Sequence, residues 1–341
     1  MAKTALPKEA RLKFKAARDF IKERDVVSAR AELLGIELGS SFSLFHRMLA
    51  ACAYISKDYE LACSHIEQAM ALDPDKQVLI ADAIRIYKTK GDEVRTSQLF
   101  ESFNLDKTDS AAELLRVALA MKSLLRYSEA AVALEKGLRL SPENTRIRDQ
   151  YGIMLAMTDK PRDALQQWKF SLKFNPEDNL ALVCLGRLYL HQNEFLKAIE
   201  SFKEVLANEG GSAEGKKLNL IDAYIRASSM TEARAMLASV EGMEDNPRLH
   251  YLWGMLHYRS NDFALSFASF SRCISLGKER NHEVLSKIQW PDDFASDEEL
   301  SRLIDNVHLT LGSVFDAFSM LEFSESAFDA QFNDATEFIN N

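Results

Sequence analysis

The apolar residues of this chain recur in pairs of helical stripes separated by short polar breaks. Around the middle of the chain, Leu182, Leu185 and Tyr189 lie at the spacing of one amphipathic helix. The polar stretch 191–194 interrupts the pattern, and a second stripe that includes Phe202 follows. The pattern therefore predicts two antiparallel helices joined by a tight turn.

This two-helix pattern repeats with a period of about 34 residues, which is typical of helical repeat proteins. Four columns of small residues, large apolar residues or prolines keep the spacing from about Ser43 to about Leu206. The columns are Ala50, Ile84, Ala118, Gly152 and Gly186; Ala62, Thr96, Ala130, Ala164 and Ala198; Ile66, Phe100, Leu134, Trp168 and Phe202; and Pro74, Thr108, Pro142 and Pro176.

Each column has a physical reason to recur. A small residue in each of the first two columns lets the two helices of a pair approach closely. We expect the large column to fill the gap to the next repeat. Proline cannot continue a helix, so its column marks the end of each second helix. Thr108 takes the place of proline in one repeat, which leaves that turn less sharply specified.

The segment Leu185-Gly186-Arg187-Leu188-Tyr189, with Ala198 and Phe202 downstream, resembles the tetratricopeptide repeat. The resemblance implies an all-α fold, a right-handed α-solenoid of about eight helix-turn-helix units, and usually a protein-binding scaffold. We place the repeat array in residues 1–280. Residues 281–341 are expected to form acidic C-terminal capping helices or a degenerate repeat.

Composition narrows the class of protein further. Of 341 residues, 47% are hydrophobic, which suffices for a continuous core. The N-terminus has no apolar run typical of a signal peptide, and we find no stretch of about 20 apolar residues that could span a membrane. The four cysteines are scattered, which is typical of reduced thiols in a cytoplasmic protein. We therefore expect a cytoplasmic location.

The resemblance also implies which positions of each first helix face a ligand. These positions hold 14 Arg or Lys and 3 Asp, a formal charge of about +11 in a protein of net charge −9. Such a basic groove favours an anionic ligand. Alternatively, these are solvated helix faces with ion pairs to Asp82, Asp149 and Asp222. The predicted groove residues are Arg47, Arg85, Lys88, Arg116, Lys122, Arg187, Arg226, Tyr251, Tyr258 and Arg259.

The C-terminal tail has the opposite charge. From Pro291 to Asn341 there are 12 Asp or Glu, one Arg and seven Phe, so the tail carries −11 and the rest of the chain about +2. We expect a helical cap, with Leu300, Ile304 and Val307 on one stripe of its first helix and a second helix at about 325–338. The alternative is that the tail enters its own groove or that of a second copy, which would allow self-association.

The sequence favours a non-enzymatic adaptor that binds an acidic or extended peptide of another protein. The alternative is the N-terminal substrate-docking region of a larger enzyme, such as a sulfotransferase or glycosyltransferase. We predict no catalytic, cofactor or metal site. Residues 210–217 match only part of a phosphate loop, and no histidine cluster has metal-binding spacing. Nucleic acid is a poor fit because few aromatic residues line the groove.

Overall fold

The structure is a computed structural model that describes residues 8–37, 39–208, 214–279, 285–288, 290–291, 296, 298–308 and 310–311. These residues form α-helices joined by short turns, and no β-strand occurs among them. The predicted all-α solenoid of helix pairs is confirmed.

Eight helix-turn-helix units follow one another along the described chain, and a further helix comes after them. Their bounds are α1 Lys8–Lys22, α2 Val26–Leu34, α3 Ser43–Ile55, α4 Tyr59–Leu72, α5 Gln77–Lys90, α6 Glu93–Glu101, α7 Ala111–Ser123, α8 Tyr127–Leu140, α9 Thr145–Met157, α10 Pro161–Phe174, α11 Asn179–His191, α12 Phe195–Asn208, α13 Glu214–Arg226, α14 Met230–Ala238, α15 Pro247–Arg259, α16 Phe263–Glu279 and α17 298–308.

The first helix of each unit ends in the same way, with one residue in the left-handed region. The next amide donates to a carbonyl five residues back, at 2.8–3.0 Å, as in the Schellman motif. This bond satisfies a carbonyl that the end of the helix would otherwise leave without a partner. The left-handed residues are Arg24, Lys57, Gly91, Leu125, Asp159, Asn193, Ser228 and Asn261.

Aspartates then start several of the second helices. Asp25, Asp58 and Asp92 each accept a hydrogen bond from the backbone amide three residues ahead, at 3.0–3.1 Å. Such a cap replaces a missing backbone acceptor and stabilises a helix by about 1 kcal/mol. The tight spacing within each unit therefore follows from local backbone chemistry at both sides of the turn.

Close packing inside the units explains the small and large columns together. A Cβ on Gly186 would lie 2.5 Å from Phe202, and one on Gly254 would lie 2.7 Å from Phe270. The sequence placed the large residue in the gap to the next repeat. In the structure its ring also lies against the small residue of its own unit, because only glycine leaves room for it there.

The unit with Thr108 in the proline column departs from its neighbours. Its second helix, α6, has 9 residues, whereas α4 and α8 have 14. A short 3-10 turn, Leu105–Lys107, follows, and the backbone amide of Asn104 donates to the Gln77 side chain at 2.7 Å. Thr108 itself is fully buried. A side-chain hydrogen bond thus helps to define a turn that the absent proline left open.

The described residues divide into two compact units, one up to Ala164 and one from Leu165 to Leu311. This division lies within the repeat array, and the expected boundary at residue 280 stays a prediction. In the second unit, α17 buries Leu300 and Ile304 completely, and Trp290 stacks on Phe267 with ring centroids 5.0 Å apart. The second tail helix expected at about 325–338 lies outside the described residues.

Candidate protein-binding face

In the compact unit up to Ala164, a buried aspartate contacts arginines of consecutive first helices. Arg47 on α3 donates from Nε to Oδ2 of Asp82 on α5, at 2.7 Å. Arg85, one turn further along α5, places Nη1 4.0 Å from Oδ1 of the same carboxylate. Asp82 is 1% exposed. We name Arg47, Asp82, Arg85 and Arg116 of α7 the arginine cluster.

Electrostatics keeps the Asp82 carboxylate ionised in this cluster. Burial alone would raise its pKa, but the positive charges of Arg47, Arg116 and Arg85 outweigh that effect and lower the pKa. Three guanidinium groups and one carboxylate give the cluster a formal charge of +2. The three arginines are only 3–6% exposed, so this positive charge lies in a covered part of the molecule.

The repeat period brings these residues together. Asp82 follows Arg47 by one period plus one position, and Arg116 follows Asp82 by one period. One period moves the chain to nearly the same position on the next first helix, so the three side chains face one another across neighbouring helices. Arg85 follows Asp82 by three positions and therefore shares its helix face.

The other predicted groove residues of the compact unit up to Ala164 lie further apart. Lys122 is buried on α7, whereas Lys88 is exposed near the C-terminal end of α5. Other buried polar groups on first helices are Asp149 and Gln150 of α9. The structure thus brings Arg47, Arg85 and Arg116 together. The role of all ten predicted groove residues in binding stays a prediction.

A second cluster lies in the compact unit that begins at Leu165, and its acceptor is an amide oxygen instead of a carboxylate. Oδ1 of Asn219 on α13 accepts from Nη2 of Arg248 on α15, at 2.9 Å, and from Nη2 of Arg187 on α11, at 3.4 Å. Both arginines are half-buried. We name these three residues the amide cluster.

The other predicted residues of this unit make separate contacts. Arg226 pairs with Asp222 on the same helix at 2.9 Å, and Arg259 donates from Nη1 to the carbonyl of Ile225 at 3.1 Å. Tyr251 is buried, with its ring centroid 6.1 Å from that of Phe270.

The hydroxyl of Tyr258 donates to Asp305 on α17. This hydrogen bond is the main cause of the raised pKa of the tyrosine. It ties the last first helix of the array to α17, so this predicted groove residue already has a structural role.

The sequence named Asp82 as a possible partner in ion pairs, but it did not single out Asn219 as a second acceptor for arginines. They are separated by four periods plus the single inserted position near Gly210-Gly211. The two acceptors therefore occupy the same column of the repeat. Both positions carry a side chain with an acceptor oxygen, and arginines lie at neighbouring first-helix positions. This pattern was the sequence signal for the two clusters.

No described residue group supports metal chemistry: three or more His, Cys, Asp or Glu side chains never come together within the described residues. All four cysteines are free and buried. Burial raises the pKa of Cys52 to about 11 and that of Cys273 to about 12, so both thiols stay protonated near neutral pH. Of the loop that partly matches a phosphate loop, residues 210–213 lie outside the described part, and 214–217 begin α13.

Comparison with solved structures agrees with the class that the helix pairs define, a helical repeat protein. A tetratricopeptide repeat protein from Parabacteroides merdae superposes with a TM-score of 0.57 at 17% identity, covering 76% of this chain and 98% of that one. The type IV pilus biogenesis factor PilW superposes with a TM-score of 0.51 at 20% identity, covering 60% and 93%. Residues 155–213 match the family model described as tetratricopeptide repeat. Residues 155–213 thus contain a tetratricopeptide repeat, and the described helix pairs have the fold of tetratricopeptide repeat proteins.

Two curated proteins share recognisable sequence with this chain. BBSome complex member BBS4 of Mus musculus is 25% identical over 155 residues, which is 45% of this chain and 29% of that protein. Tetratricopeptide repeat protein 13 of Homo sapiens is 26% identical over 183 residues, 51% of this chain and 20% of that protein. The chain thus matches less than a third of the length of either relative. Tetratricopeptide repeats bind other proteins through extended surfaces.

Among the residues that the structure describes, no helix is both long enough and apolar enough to cross a lipid bilayer.

Proposed function

We propose that this chain is a non-enzymatic cytoplasmic adaptor, and that the first helices of its N-terminal unit bind an acidic, extended segment of another protein. The observation that carries the proposal is the arginine cluster, in which residues of α3, α5 and α7 converge on one carboxylate. Tetratricopeptide repeats generally act by binding, and a concentrated positive charge selects for an anionic partner.

The chemistry of arginine favours carboxylates as the recognised groups. Each guanidinium group is a planar fork of five donors that pairs with a carboxylate through two parallel hydrogen bonds. Carboxylates of a partner can form the same paired hydrogen bonds with the arginines of this cluster.

The helix spacing sets the expected spacing of acidic residues in the partner. Packed helices lie about 8–10 Å apart, and α5 packs against α7. An extended peptide advances about 3.3 Å per residue, so about three residues of the partner span the distance between neighbouring first helices. We therefore propose a motif with an acidic side chain at about every third position.

Fluorescein-labelled synthetic peptides test this proposal directly. Glu or Asp would be placed at every second, third or fourth position, and the same peptides with Gln or Asn would serve as uncharged probes. We expect the peptide with acids at every third position to bind best. Its affinity should fall with salt, and Arg116→Glu should abolish binding. The matched control is Arg139→Glu on α8, whose side chain is 74% exposed, and it should leave the affinity unchanged.

A second substitution separates loss of binding from loss of folding, because Arg116 is buried. Arg116→Lys keeps the charge and removes the planar fork, so it should weaken binding without abolishing it. Circular dichroism would confirm that both variants are folded. Equal binding of acidic and uncharged peptides, or no effect of either folded variant, would rule the proposal out.

The enzyme-linked alternative would use the same face to dock the substrate of an attached catalytic domain. It differs in requiring that domain on the same polypeptide. The complete reading frame of the transcript distinguishes the two cases, because only the alternative needs a catalytic domain after the repeats.

A further inference from the structure

We infer that residues 312–341 of this chain occupy the arginine cluster and compete there with the acidic partner. This inference rests on the proposed function, since it names a second ligand of the arginine cluster and the first helices that carry it. The segment contains six Asp or Glu, six Phe and no Lys or Arg. The rest of the chain, residues 1–311, therefore has a formal charge of only −3, given the total of −9.

Burial of the arginine cluster is the first argument. Arg47, Arg85 and Arg116 are only 3–6% exposed, and together with Asp82 they carry a formal charge of +2. Burying charge is costly unless opposite charge lies nearby. The segment 312–341 is rich in carboxylates and has no cation, so its charge complements the face.

The spacing of the acidic residues is the second argument. Glu322, Glu325 and Asp329 follow one another at intervals of three and four positions, and Glu337 follows Asp334 by three. In an extended segment such intervals match the distance between neighbouring first helices. In a helical segment they place the carboxylates on one face. Either conformation can present several carboxylates to the arginines of α3, α5 and α7.

The third argument is that the part of the acidic tail before residue 312 has a packing role of its own. The part up to Leu311 already has a packing role, since α17 buries Leu300, Ile304 and Val307. The cap expected from the sequence therefore does not require residues 312–341. Fully extended, the 30 residues of this segment span about 100 Å.

Covalent attachment makes even a weak contact effective. A short flexible tether raises the local concentration of a ligand to the order of millimolar. A partner must then compete with a ligand that is always present. Its apparent dissociation constant rises by the inverse of the fraction of molecules whose face is open.

A labelled peptide of residues 312–341 would measure this competition on the full chain. The key variant neutralises the attached segment and leaves the face intact. It carries Asp316→Asn, Glu322→Gln, Glu325→Gln, Asp329→Asn, Asp334→Asn and Glu337→Gln. The matched control neutralises Glu298 and Glu299, which are exposed acidic residues of α17.

We expect the labelled peptide to bind the neutralised variant about tenfold more tightly than the wild type or the control. Adding Arg116→Glu to the neutralised variant should abolish this binding. Equal affinity for wild type and neutralised variant, with Arg116-dependent binding in both, would overturn the inference and leave the proposed function standing. If no acidic peptide of any design binds the neutralised variant, the proposed function itself fails.

Photo-crosslinking supplies a readout on the otherwise wild-type chain. With p-benzoylphenylalanine in place of Phe328, we expect cross-links to peptides of α3, α5 or α7. In an equal mixture of ¹⁴N and ¹⁵N chains, these cross-links should join segments of the same isotope. Cross-links elsewhere, or mixed-isotope cross-links that show exchange between copies, would contradict occupation within one chain.

Discussion

The arginine cluster and the amide cluster use the same column of the repeat with acceptors of different charge. Asp82 supports arginines that are almost fully buried, whereas the arginines around Asn219 remain half-buried. A carboxylate attracts each guanidinium group strongly enough to offset much of its desolvation, and a neutral amide does not. The two clusters therefore differ in acceptor charge and in the depth at which their arginines are buried.

Asp82→Asn should have the largest effect, because it gives the first cluster the acceptor of the second. The three buried arginines would lose their carboxylate, and breaking a buried ion pair costs about 3–5 kcal/mol. Urea denaturation followed by circular dichroism would measure the loss in the free energy of unfolding.

Asn219→Ala is the matched change in the amide cluster. Its arginines are half-buried and can turn to water, so we expect a loss of only about 1 kcal/mol. If Asp82→Asn and Asn219→Ala lower the free energy of unfolding equally, the charge of the acceptor does not explain the difference between the clusters.

The small column also varies along the chain, with alanine at Ala50 and Ala118 and glycine at Gly152, Gly186 and Gly254. Gly186→Ala would place a methyl group against the Phe202 ring, so we expect it to lower the free energy of unfolding by about 1–3 kcal/mol. The control is Gly215→Ala on α13, where the new methyl group would meet no neighbour. There the greater helix propensity of alanine should stabilise by up to about 1 kcal/mol. Thermal unfolding would show whether the two changes have opposite signs.

The pH dependence of stability should differ between the clusters, because only the acceptor of the arginine cluster titrates. The pKa of Asp82 is lowered in the folded state, so the unfolded chain binds its proton first as pH falls. The stability that Asp82 contributes is present above its unfolded pKa of about 3.9 and is lost as pH falls through the lower, folded value.

Urea midpoints measured from pH 7 down to acid would test this. The difference between wild type and Asp82→Asn should shrink below about pH 4, by at most about 1.4 kcal/mol per pH unit. A difference that stays constant in acid would contradict an ionised Asp82.

Asn219→Asp should have the smallest effect on the free energy of unfolding. It would give the amide cluster a charged acceptor like that of the arginine cluster. The new carboxylate would accept from Arg187 and Arg248. Position 219 is buried, so the desolvation of the carboxylate offsets part of this attraction, and we expect a gain of no more than about 1 kcal/mol. NMR titration should give the new aspartate a pKa below its ordinary value. An ordinary pKa would mean that the two arginines do not act on this position.

Sequence and structure agree where a pattern is repeated and differ where a contact is unique. The periodic columns predicted the helices, and the polar stretch 191–194 marked the turn between α11 and α12 correctly. The convergence on Asp82 depends on distances between helices, which the spacing suggested but did not determine. Tyr251 looked equivalent to other groove positions, yet it is buried with its ring beside that of Phe270.

The left-handed residue that ends each first helix has a practical consequence for recombining repeats. From Lys57 to Asn193 this residue recurs once per period, at positions 57, 91, 125, 159 and 193. It can therefore serve as a splice point, since joining two copies there keeps the same backbone angle and register on both sides. Leu125 is exposed and holds a φ of 59°, which costs a residue other than glycine about 1–2 kcal/mol. A modular library built from this chain would gain stability by using glycine at each junction, as Gly91 already does.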